Sequence, residues 1–125
     1  MIGAVLCEAI QTALQGAFPS VYVGLPQDNE RITMPAIVLE LRSDAVVGSP
    51  LERGTLTALV ASQADDTTPA AHAQFVADVG AFMRTLTIDS EAVQLHGIVT
   101  ASSDAQHAER HWQTPLTFIL GFSPI

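Results

Sequence analysis

The chain has 125 residues, 48% of them hydrophobic, and carries 13 acidic residues against five arginines and no lysine, for a formal net charge of −8. That length supports one domain around a single core, and that apolar content argues against a disordered chain. Five scattered arginines (Arg31, Arg42, Arg53, Arg84, Arg110) form no basic patch, which disfavours nucleic-acid binding through clustered cations.

In residues 2–18 the apolar side chains Ile2, Val5, Leu6, Ala9, Ile10, Ala13, Leu14, Ala17 and Phe18 recur at three- and four-residue spacing. This predicts an amphipathic helix, ended by Pro19 and Ser20. It lacks a basic leading region and holds Glu8 and Gln11 within its apolar stretch, so it reads as a helix retained in the mature protein rather than a signal peptide. No apolar run approaches the roughly 20 residues needed to cross a bilayer. Cys7, the single cysteine, leaves no internal disulfide and no Cys-rich zinc site. On the apolar side of the helix it reads as an inert packed thiol.

A short β-branched and aromatic run follows at 21–25, then a polar loop at 26–35 with a proline at each end. Residues 36–47 alternate as a strand, with Ile37, Leu39 and Leu41 on one face and Val38, Glu40 and Arg42 on the other. Gly48-Ser49-Pro50 is a turn signal, and residues 51–63 return as a second strand. There Leu56, Ala58 and Val60 oppose Thr55, Thr57 and Leu59. The pair predicts a long antiparallel hairpin over 36–63.

Asp65, Asp66, Thr67, Thr68 and Pro69 form a helix-start signal: anions before the positive helix end, a hydroxyl cap, and proline at the first position. Phe75, Val76, Val79, Phe82, Met83 and Leu86 then give the buried stripe of a helix over about 69–86. Gly80 inside it suits close packing on a sheet. Residues 92–103 read as a strand, 104–110 as a polar connection, and 111–122 as the last strand, with Trp112, Leu116, Phe118, Leu120 and Phe122 of one parity. Pro115 there suggests an edge position or a bulge. The expected fold is one α+β domain over 1–125 in two layers, a mostly antiparallel sheet of about five strands with two helices on one face.

Few residues suggest chemistry. His107, Glu109 and His111 share a face if they lie on one strand, and with His96 they could hold a divalent ion. The helical His-Glu-x-x-His arrangement is absent, and a polar hairpin bend explains the same residues. Asp65 and Asp66 are explained by the helix start, and His72 reads as an exposed helix-face histidine. No framed nucleophilic serine, glycine-rich phosphate loop or Cys–His constellation is present, so no catalytic, cofactor or metal residue is assigned.

The segments "MPAIVLEL" (34–41), "GTLTALVASQADDTTPAAHAQFVADVGAFMRTL" (54–86) and "HWQTPLTFILGF" (111–122) carry a resemblance of pattern. Their order resembles the tail terminator and head–tail joining proteins of long-tailed bacteriophages and related gene-transfer particles. The resemblance implies a virion structural protein without enzymatic activity or cofactor, assembled in the host cytoplasm and placed in the tail or neck. It also implies a homomeric ring, commonly a hexamer, whose partners are the tail tube protein and the head–tail connector, with DNA in transit through the lumen and no membrane. The family has no signature residues to carry over. The acidic balance suits a channel that must not hold phosphates. Val46, Val47 and Leu51 near the hairpin tip, with His107, Glu109, Arg110 and His111, are the expected subunit or partner contacts. A small metal-binding module or enzyme using His96, His107, Glu109 and His111, and a non-viral protein–protein adaptor, are the other readings.

Overall fold

The computed structural model describes residues 2–18, 20–24, 35–45, 51–63, 68–88, 90–100, 106–108 and 111–125. Its elements run α1 (Ile2–Gln15), β1 (Val21–Val23), β2 (Ala36–Ala45), β3 (Glu52–Gln63), α2 (Pro69–Arg84), β4 (Val93–Thr100), β5 (Gln106–Ala108) and β6 (His111–Pro124). They make a two-layer α+β fold, a mostly antiparallel mixed sheet with both helices on one face. Among the described residues the sheet order is β1-β2-β3-β6-β4, and β5 also pairs β6.

The predicted hairpin over 36–63 forms, with Ala45 opposite Glu52 at its outer end and Ala36 opposite Ala61 at its base. β1 joins β2 in parallel, Val21 beside Ile37. β3 and β6 then pair over their full shared length, from Glu52–Phe122 to Gln63–His111. The stretch read as a polar connection contains β5, whose His107 pairs with Trp112. Strands β4 and β5 therefore run along the same side of β6, and a register shift between Leu95 and Gly97 interrupts β4. A bulge of this kind bends a strand and raises its local twist.

This order puts β6 inside the sheet, so Pro115 is not at an edge. It pairs with Leu59 of β3. On the opposite side of β6, the described partners stop at Gln113 and resume at Phe118. The missing proline N–H falls within that interval.

The core lies between the helices and the inner face of the sheet. α1 contributes Leu6, Cys7, Ile10 and Leu14, spaced to form one stripe, and α2 contributes Val79 and Met83. Against them lie Ile37 and Leu39 from β2, Leu56, Ala58 and Val60 from β3, and Leu116, Phe118, Leu120 and Phe122 from β6. Burying a side chain such as Phe118 or Leu39 contributes about 1.5–3 kcal/mol. Phe18, just past the end of α1, ties the two helices together through tilted and edge contacts with Phe75 and Phe82 at 5.9 and 5.7 Å. Burial of Cys7, and secondarily the adjacent Glu8, raise its thiol pKa, so the thiol stays protonated and packs as a small apolar group.

Two glycines differ in why they are there. At Gly54 a β-carbon would lie 3.0 Å from Leu41 Cδ1 and from Phe122 Cε1, and 3.3 Å from the Arg42 carbonyl oxygen. The Leu41 and Phe122 side chains, from the strands on either side of β3, would have to give way to it. At Gly80 the expected tight packing is absent: a β-carbon would meet only the Arg84 guanidinium, 4.0 Å away. Gly80→Ala should therefore raise the unfolding free energy by about 0.5–1 kcal/mol. Gly54→Ala should lower it by about 1–3 kcal/mol through overpacking. Urea unfolding midpoints of the two variants, moving in opposite directions, check both.

Candidate functional site

Among the described residues one sheet face carries both helices and the other carries none; on that other face Ala36, Val38 and Ala61 are buried, and the rest is defined by its cross-strand rows. One row runs Val99–Ile119–Thr55–Arg42 across β4, β6, β3 and β2. The next runs Thr117–Thr57–Glu40, and beyond it Pro115–Leu59–Val38–Tyr22. Val99 and Ile119 are 64% and 45% exposed although they are directly paired, so together they form an apolar spot open to water. Beside them Gly97 pairs with Gly121, and neither would bring a β-carbon within 4 Å of any neighbour, which leaves a bare strip of backbone.

Towards β2 the face is hollowed by two contiguous depressions. The larger, about 510 Å³, is lined by Gly24, Val38, Glu40, Thr57 and Leu59. The smaller, about 210 Å³, is lined by Glu40, Arg42, Thr55 and Thr57. Arg42 Nε lies 3.7 Å from Glu40 Oε1, with both side chains largely in water, so the pair adds little to stability. Such a surface can hold another surface of mixed apolar and polar character. Its described residues contain no nucleophile–base pair.

The expected contact and metal residues fare unequally. Val46, Val47, Glu109 and Arg110 lie outside the described residues. Leu51, just before β3, is 39% exposed. His107 and His111 lie on adjacent strands and not on one: the register pairs His107 with Trp112 and Ala108 with His111. The two histidines thus occupy register positions of opposite parity. His96 is not near them. Its Nε2 bonds the Ser123 hydroxyl at 2.6 Å, and Ser123 is at the far end of β6 from His111, on the order of 40 Å of extended chain away. Among the described residues no group of three or more His, Cys, Asp or Glu side chains could hold a metal ion, and no helix is long and apolar enough to cross a membrane.

The polar cluster that does form was not expected. His72, read from sequence as exposed, is only 2% exposed. Thr68 caps α2, its hydroxyl accepting from the Ala71 N–H at 3.1 Å, and Pro69 occupies the first turn. This start directs the next residue, His72, down onto the sheet. Its Nδ1 is 2.8 Å from Ser62 Oγ of β3 and its Nε2 is 3.0 Å from Thr114 Oγ1 of β6. Trp112 stacks on the ring at 6.4 Å between centroids. Desolvation by burial lowers the imidazole pKa, so the ring is neutral near pH 7.

A sequence signal for this cluster existed. His72, Val76, Val79 and Met83 continue one helical stripe at spacings of four, three and four, and Ser62 and Thr114 extend the inward parities of Val60 and Leu116. A histidine on a helix stripe facing hydroxyls at the ends of two apolar strand faces marks a buried hydrogen-bonded ring.

No family model and no curated protein matches the chain. One solved structure superposes on 99% of this chain and 93% of its own with a TM-score of 0.54 and 18% sequence identity. The name of that protein states neither family nor activity. At this identity the likeness establishes the fold alone.

Ser62→Ala should cost about 1–3 kcal/mol at neutral pH, because it strands the buried Nδ1 of His72 without a partner. Thr114→Val should cost a similar amount through Nε2. Chemical denaturation of each variant against the parent protein measures both.

Proposed function

We propose that this chain is a virion structural protein, a subunit of a homomeric ring that closes the tail tube of a long-tailed phage and joins it to the head connector, with DNA passing through the lumen. The observation that carries the reading is the exposed apolar spot on the sheet face opposite the helices. A protein of 125 residues that leaves Val99 and Ile119 paired and exposed beside a bare glycine strip has a surface suited to another subunit. A two-layer domain with a long hairpin, a capped helix and a central closing strand is compatible with the segment order on which the resemblance rests. The formal charge of −8 adds support, since an acidic lining lets DNA slide past without binding.

Ring formation needs a heterologous contact, in which one patch of a subunit meets a different patch of the next. The apolar spot on β4 and β6 and the exposed Leu51 before β3 are such non-identical surfaces. In this reading the pocketed centre of the face is contact surface and does not bind a small molecule.

Light scattering on a size-exclusion column, with negative-stain microscopy, tests the proposal with and without purified tail tubes. Rings of several subunits, or density capping the tube ends, are expected. Ile119→Glu and Val99→Glu should weaken assembly about tenfold or more while leaving the fold intact by circular dichroism. A protein that stays monomeric at high concentration and does not bind tube ends would overturn the reading.

A further inference from the structure

The His72 cluster has no part in that reading, and its geometry is unusual for a ring that is to remain neutral only by environment. Both nitrogens are engaged, but only by neutral hydroxyls, Ser62 from β3 and Thr114 from β6. The third neighbour from β6 is the Trp112 ring. On α2 itself the His72 N–H donates to the Thr68 carbonyl at 3.0 Å, which places the ring at the positive end of the helix. The charged side chains of α2 farther along, Asp78 and Arg84, are about 9 and 18 Å away up the helix axis. Among the described residues no carboxylate faces the ring, and Asp65 and Asp66 lie outside them.

Among the described residues, a proton arriving on this ring would therefore meet two hydroxyl dipoles, a helix end of the same sign and no counter-charge. Water solvates the imidazolium far better. Ser62 and Thr114 are themselves 2% and 3% exposed, so lifting the beginning of α2 from β3 and β6 brings the ring to water. Few other polar anchors hold that end. Between Thr68 and Phe75, His72 is the buried residue, and the side chains on either side of it are exposed.

We propose that His72, held by Ser62 and Thr114, is an acid-sensitive latch whose protonation releases the N-terminal half of α2 from the sheet. The closed state disfavours the proton and the open state takes it up at the ordinary imidazole value of about 6.5. The latch is thus fully closed above that value and weakens as pH falls below it. Opening would uncover Trp112, the single tryptophan of the chain, and the hydroxyl ends of β3 and β6.

The test is amide hydrogen exchange together with Trp112 emission on the full chain between about pH 7.5 and about pH 5, above the range where carboxylates titrate. After correction for intrinsic exchange, opening of residues 70–76 should rise towards about tenfold per pH unit, with a red shift of Trp112, while amides of α1 and β2 stay protected. In His72→Asn, which keeps a polar group without a titrating one, opening should be independent of pH. Should that variant fail to fold, side-chain NMR of the unsubstituted protein decides the matter. A ring that protonates near its ordinary value while α2 stays protected overturns the proposal. So does a flat exchange profile, or a slope that persists in His72→Asn.

Discussion

The described core of this domain is built against one side of one sheet. Strand residues alternate between faces, so a two-layer domain needs every long strand to keep its apolar parity in step with its neighbours. β2, β3 and β6 do so: Leu39, Ala58 and Leu116 share one row, and Leu41, Leu56 and Phe118 share the next. A slip of one residue between β3 and β6 would send Phe118 and Phe122 into water and bring Ile119 and Thr117 beneath the helices. The register is specified by that penalty more than by any single hydrogen bond. Both described helices pack on that side, and none packs on the opposite face.

The features set by period were legible in the sequence. Both helices follow from stripes of three- and four-residue spacing, and the hairpin over 36–63 follows from two alternating runs around Gly48-Ser49-Pro50. Features set by tertiary neighbours were harder to read. The missing donor of Pro115 suggests an edge position or a bulge; it lies in an interior strand, where the described ladder on one side has a gap. Gly80 was assigned to close packing because glycine mid-helix is costly, and nothing crowds it. The three-residue β5 is too short for alternation to reveal.

The candidate site divides the same way. The exposure of Glu40, Arg42 and Thr55 on the face opposite the helices was foreseen from strand parity, since it depends on local alternation alone. His72 was misjudged because residue type was weighed above position: a histidine in the first turns of a helix is usually wet. Its burial depends on Ser62 and Thr114, 10 and 42 residues away in sequence. His96 stands apart from the other candidate metal residues for a topological reason. His96 lies beside the C-terminal end of β6 and His111 begins its N-terminal end, so the strand that joins their neighbourhoods also separates them.

The interior place of β6 has a consequence for how the molecule comes into being. Its described neighbours in the sheet, β3, β4 and β5, all precede it in the chain. As the polypeptide emerges from the ribosome, α1, the β2–β3 hairpin and α2 are all made before residues 111–124, yet the layer that covers their apolar stripes is missing its middle. Until that strand is inserted, the facing edges of β3 and β4 expose unpaired backbone, which is a template for joining the wrong chain. The ladder it forms with β3 is also non-local, and such pairings close slowly. The vulnerable interval is therefore the time before residues 111–124 are made and inserted.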